Sequence, residues 1–84
     1  MMITNHFEKR LRERFQWDWD DLKVNSREFK METFKCPKKL NERFQGLGDL
    51  MRSEGTKFRI IEGLNIVMIQ VGLEFKTCYR LSGN

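Results

Sequence analysis

His6, Arg10 and Arg14 recur every four residues, and Lys57, Arg59, Lys76 and Arg80 alternate along two strand-like segments near the other end of the chain. Both spacings collect positive charge on one side of an element: a helix brings residues four apart onto one face, and a strand brings residues two apart together. Phosphate oxygens are the natural partners of such groups, because a guanidinium can donate two parallel hydrogen bonds to one phosphate. Tyr79 lies next to Arg80, and Thr77 lies two residues before it. The same residues have plainer uses. Arg10 and Arg14 would pair with Glu13 or with the acids near Asp18 on a solvated flank, and strand lysines discourage sheet-to-sheet aggregation. Tyr79 would serve equally as a core tyrosine with its hydroxyl at the rim.

The elements that must position these groups are legible from apolar periodicity. Phe7, Leu11 and Phe15 form a buried stripe on a first helix over residues 6–16, with Asn5 and Glu8 in the places of an N-cap and its capping-box partner. The His6–Arg10–Arg14 stripe lies about 100° round from that stripe, so it borders the buried face. Asp18 or Asp20 can cap a short turn after Trp17. Residues 24–34 read equally as an edge strand or a helix. Pro37 suits the first position of another helix, with Leu40, Phe44 and Leu47 on its buried side.

Residues 57–62, 64–71 and 73–81 form three strand-like runs separated by Gly63 and Gly72. Connections this short force an antiparallel meander. In strict alternation Leu73, Phe75, Thr77, Tyr79 and Leu81 share one face of the last strand, and Glu74, Lys76, Cys78 and Arg80 the other. The expected architecture is α+β: two or three helices covering one face of a three- to four-stranded antiparallel sheet in a single domain, residues 1–84. Lys57, Arg59, Lys76 and Arg80 would then form one cationic patch on the open face. The segment Leu11-Arg-Glu-Arg-Phe-Gln16 is echoed by Leu40-Asn-Glu-Arg-Phe-Gln45. Two copies are too few for a repeat architecture.

Composition narrows the chemistry. The net charge of +4 tolerates a polyanionic partner. One histidine and two cysteines, 42 positions apart, do not furnish a zinc site. No phosphate-binding glycine loop, dinucleotide fingerprint, HExxH or GxSxG motif is present. The expectation is therefore no cofactor and no metal. The first ten residues lack a leader-like apolar run, and residues 64–71 are too short to span a bilayer. A cytoplasmic protein with free thiols and no membrane partner is expected.

The order helix–helix–meander, the His-x3-Arg-x3-Arg helix and the late Thr77-x-Tyr79-Arg80 strand together resemble the small bacterial ribonuclease toxins, the RelE-like group and its barnase- and colicin-type relatives. The resemblance is to a pattern spread over most of the chain. It implies a metal-independent endoribonuclease with a protein antitoxin. In that scheme His6 or Tyr79 moves the proton, and Arg10, Arg14, Lys76 and Arg80 clamp the phosphates, with Arg80 at the catalytic site; Lys57 and Arg59 join them as RNA-binding residues from the strand spacing alone. A second reading is a non-enzymatic module that inhibits a host protein, encoded by a phage or mobile element and using Trp17, Trp19 and Met51 as its interface. A third is a plain nucleic-acid binder using Lys35, Lys38, Lys39 and Arg43.

Overall fold

Thr4, not Asn5, starts the first helix. In the computed structural model, which describes residues 1–82, its backbone is extended and its hydroxyl accepts the Phe7 N–H at 3.0 Å. This satisfies one of the donors that every helix start leaves open. Helix α1 (Asn5–Phe15) then buries Phe7 and Leu11 completely and stops at Gln16, in the left-handed region at φ 56°. Helix α2 (Trp19–Asn25) opens with a reciprocal capping box. Asp18 accepts the Asp21 N–H at 2.8 Å, and Asp21 accepts the Asp18 N–H at 3.0 Å.

The ambiguous residues 24–34 are neither one helix nor one strand. They finish α2, make a single 3-10 turn (Ser26–Glu28) and end in a three-residue strand. Helix α3 (Pro37–Arg43) starts at Pro37 as expected, but no side chain caps it, and it ends at Phe44. A 3-10 turn at Leu47–Leu50 continues its buried side.

Among the described residues the sheet has five strands: β1 (Met2–Ile3), β2 (Glu32–Phe34), β3 (Thr56–Ile61), β4 (Ile66–Val71) and β5 (Glu74–Arg80). They lie in the order β1-β5-β4-β3-β2. The β3–β4–β5 meander and β2 are antiparallel as expected, but β1 runs parallel to β5, so the sheet is mixed. Gly72 has φ 60° in the β4–β5 turn, a conformation open to glycine. Gly63 makes a different kind of contact: a Cβ there would overlap the exposed Phe29 ring and displace it.

Both faces of the sheet are covered, which corrects the expectation of one open face. On one side Phe7, Leu11 and Leu22 pack onto Ile61, Ile66, Met68, Phe75 and Cys78. On the other, Leu40 packs with Phe58, Ile60, Val67 and Ile69, joined by the half-buried Phe34, Phe44 and Leu47. The reason lies in β4, where Ile66, Val67, Met68 and Ile69 are all buried. A run with no polar alternation needs apolar cover on both sides.

Strict alternation along β5 also fails. Gln70 pairs with Phe75 but Ile69 pairs with Thr77, so Lys76 is an extra residue in the ladder. This bulge shifts the phase of the strand. Phe75 and Cys78 both face α1, whereas Thr77 and Tyr79 turn toward the α3 side. The Lys76 carbonyl accepts the Thr4 hydroxyl at 3.0 Å, so one residue caps α1 and pins the bulge.

Candidate nucleic-acid interface

Strand β1 reaches only Glu74 and Phe75 of its neighbour. Beyond the bulge the outer edge of β5 has no strand beside it among the described residues, and the end of α1 lies there instead. Arg14 Nη1 donates to the Cys78 carbonyl at 2.6 Å. Its guanidinium carbon stands 4.9 Å from the centre of the Tyr79 ring, at cation–π distance. Arg80 returns the contact, Nη2 donating to the Arg14 carbonyl at 2.7 Å, one of the acceptors that a helix end leaves open. Helix end and strand edge are thus clasped by two arginines, of which Arg14 also covers the Tyr79 ring.

The other members of the α1 stripe reach this cluster unequally. Arg10 donates Nη1 to Glu13 Oε2 at 2.7 Å. That hydrogen bond, with the charges of Arg10, Lys9 and Arg14, holds the Glu13 carboxyl below its ordinary value. His6 is exposed on the first turn of α1. Eight residues separate it from Arg14, about 12 Å along the axis. The stripe forms as the spacing requires, but Tyr79 and Arg80 meet only its Arg14 end.

The four strand cations do not make the single patch expected of them. Lys57 and Arg59 alternate with Phe58 and Ile60 of the α3-side core, so they point to the α1 side of β3, with β4 between them and β5. Two strand spacings place them about 10 Å away. Arg59 Nε is held by Gln70 Oε1 at 2.9 Å. Lys76 lies on the bulge and pairs with Glu74 at 3.2 Å.

Of the residues of the alternative readings, Lys35, Lys38 and Lys39 are exposed around the start of α3, and the others pack or pair within the fold. Trp17 stacks on Phe15, and Trp19 meets Phe7 edge-on, with ring centres 5.5 and 5.8 Å apart. Both are half-buried, as is Met51. Arg43 bridges Glu32 and Glu62 at 2.6 and 2.8 Å. Leu73, expected on the apolar face of the last strand, is instead exposed in the turn before β5, and Met1 and Met2 are exposed too; the other exposed large apolar side chains are Val24, Phe29 and Met31, on and after α2. Met31 and Trp19 help line a small, mainly apolar cavity of about 80 Å3 there.

Tyr79 has a second environment. It lines a cleft of about 360 Å3 on the α3 side of the sheet, together with Thr77 and with Arg52 and Ser53 from the loop before β3. Arg52 and Ser53 lie in a stretch that reads as a plain linker, and only a cation beside a hydroxyl marked them. No His/Cys/Asp/Glu group able to hold a metal ion is found among the described residues. No helix there is long and apolar enough to cross a membrane. Comparison with family models, curated proteins and solved structures finds no match, so the functional reading rests on the chemistry of these residues.

Proposed function

We propose that this chain is a small RNA-binding protein of the ribonuclease-toxin type, which holds the phosphate backbone at the α1–β5 edge and cuts it without a metal. The observation that carries the reading is the Arg14–Tyr79–Arg80 cluster on the half of β5 whose outer edge has no strand beside it among the described residues, with Arg10 and His6 continuing along the same helix. Two fixed guanidiniums gain strength as charge develops on phosphorus during attack by a ribose 2′-hydroxyl. They are held by backbone carbonyls, so little reorganisation is needed when that charge appears. The proton of the 2′-hydroxyl goes to a general base and a proton returns to the leaving 5′-oxygen. Tyr79, whose ring lies against the Arg14 guanidinium, is one candidate for these transfers, and His6, the exposed imidazole on the same helix as Arg14, is the other. Lys57, Arg59 and Lys76 lie further out, where they would hold flanking backbone. A protein antitoxin would act by covering the α1–β5 edge.

The test is incubation of total cellular RNA with purified protein in EDTA, beside Tyr79→Phe and His6→Ala. Tyr79→Phe keeps the ring under Arg14, and His6 is exposed, so both variants should fold. Cutting that survives EDTA and is lost in either variant supports the reading. Salt-dependent RNA binding without cutting reduces it to an RNA binder.

If folded protein neither cuts nor binds RNA, the second reading takes over. In it the protein is a non-enzymatic module that binds a host protein. The specific observation in its favour is the exposed Val24, Phe29 and Met31 surface beside the small apolar cavity under α2.

A further inference from the structure

The cleft behind Tyr79 is built from parts that the phosphate clamp does not use. Its volume, about 360 Å3, falls within the roughly 300–1,000 Å3 typical of small-molecule sites. Ile69 and Val71 give it an apolar floor, and Arg52, Ser53, Thr56 and Thr77 supply polar groups around it. It exists because of two features of the fold. The bulge at Lys76 turns Thr77 and Tyr79 to this side, and the short α3 packs toward β2, at the far edge of the sheet.

Hydroxyl groups lining this cleft point to a ligand. Thr56 Oγ1 donates to the Ser53 carbonyl at 2.8 Å, so Ser53 Oγ donates to Thr56 Oγ1 at 3.1 Å, and the pair turns acceptor lone pairs to whatever lies beside it. Thr77 Oγ1 is the sharper sign: it is buried and finds no hydrogen-bond partner among the described residues. A buried hydroxyl left unsatisfied is costly, and a well-packed fold usually supplies it a partner. Thr77 lines the cleft, and a rotation about χ1 to another staggered position can turn this hydroxyl toward an occupant.

We infer that this cleft is a nucleotide subsite, taking one nucleobase against Ile69, Val71 and Tyr79, with Thr77 and the Ser53–Thr56 pair at the base edge and Arg52 toward a phosphate. The choice of a nucleotide rests on the RNA-binding reading, and on Tyr79 being common to both places. Arg14 covers the Tyr79 ring at the strand edge while Tyr79 lines the cleft. A backbone phosphate held by Arg14 therefore leaves its base beside an aromatic wall, of the kind on which bases stack.

The experiment titrates the full chain, labelled with nitrogen-15, with AMP, GMP, CMP and UMP, and with ribose 5-phosphate as a probe lacking a base. Amide shifts at Ser53, Thr56, Thr77 and Tyr79 should saturate with at least one nucleotide, and ribose 5-phosphate should bind more weakly. Thr77→Val, which keeps the shape and removes the hydroxyl, should weaken nucleotide binding about fivefold while leaving Tm unchanged or raised. Arg52→Ala should weaken the nucleotides and ribose 5-phosphate alike. Ribose 5-phosphate binding as tightly as every nucleotide overturns the base subsite, as does a Thr77→Val protein that binds nucleotides unchanged. RNA binding with no shift at the cleft overturns the subsite and leaves the RNA reading standing. Saturable nucleotide binding in the cleft of a protein that ignores RNA supports the subsite and removes the RNA reading.

Discussion

The two faces of the sheet are covered by helices that share almost the same six residues, yet they are finished differently. Leu11 in α1 and Leu40 in α3 occupy the same place in the echoed segment, and both are fully buried. Phe15 and Phe44 then each pack on an aromatic neighbour, Trp17 and Phe34. The flanks make the difference. Helix α1 has eleven residues, a Thr4 cap and the capped α2 beside it. Helix α3 has seven residues and no side-chain cap, because Cys36 stands where a hydroxyl or carboxylate would. The α1 face closes to a cavity of about 80 Å3, whereas the α3 face keeps a cleft of about 360 Å3. A shared core hexapeptide sets where a helix docks, and its caps and length set how much of the sheet it seals.

The largest effect that would sharpen this contrast comes from the two leucines. Leu11→Ala should cost about 4 kcal/mol and Leu40→Ala about 2–3 kcal/mol in urea unfolding, because the looser α3 face can relax around a deletion. Equal costs would break the asymmetry.

The next contrast is between the thiols. Burial pushes the Cys78 thiol up to about 11. The Lys39 and Lys38 backbone N–H groups, with the charges of those lysines, hold the Cys36 thiol below its ordinary value. The unfolded Cys78 thiol ionises nearer 9, so between about pH 9 and pH 11 the unfolded state has given up a proton that the folded state keeps. Stability should therefore fall as pH rises through that window, and less so in Cys78→Ala. In folded protein at neutral pH, iodoacetamide should label Cys36, and Cys78 only after denaturant is added; equal labelling would contradict this.

Caps come third. Thr4→Ala removes the bond to the Phe7 N–H and the bond to the bulge carbonyl, and should cost about 1–2 kcal/mol. Smallest is Cys36→Ser, which offers α3 the cap it lacks at an already extended backbone. A gain of about 0.5–1 kcal/mol in thermal or urea unfolding is expected.

Much of the fold was legible because it is locally periodic. Phe7, Leu11 and Phe15 marked α1, Gly63 and Gly72 marked the meander turns, and Pro37 marked the start of α3. What was not legible depends on distant partners. Met2 and Ile3 are too few to show a strand period, and their pairing lies more than seventy residues away, at Glu74 and Phe75. The bulge at Lys76 leaves no mark in an alternating segment, and it alone moves Cys78 to the α1 side and Tyr79 to the cleft. One non-local feature does show in the sequence: the unbroken apolar run of β4, Ile66 to Ile69, calls for two covered faces. For the site, the spacing of His6, Arg10 and Arg14 correctly made a stripe. Only the way β1 stops short on β5 determines that Arg14 is the member that meets Tyr79 and Arg80.

The sheet order has a consequence for synthesis. Strand β1 is the first of the five to be made and β5 the last, yet the two are neighbours, and β5 lies inside the sheet with α1 resting upon it. A growing chain therefore carries Phe7 and Leu11 without the strand that shelters them until almost the whole sheet has been translated. Closing so distant a contact is slow compared with forming a helix or a hairpin. Through that interval the nascent chain can hold the β3–β4 hairpin and a bare amphipathic helix, and the two become one protein only when β5 arrives.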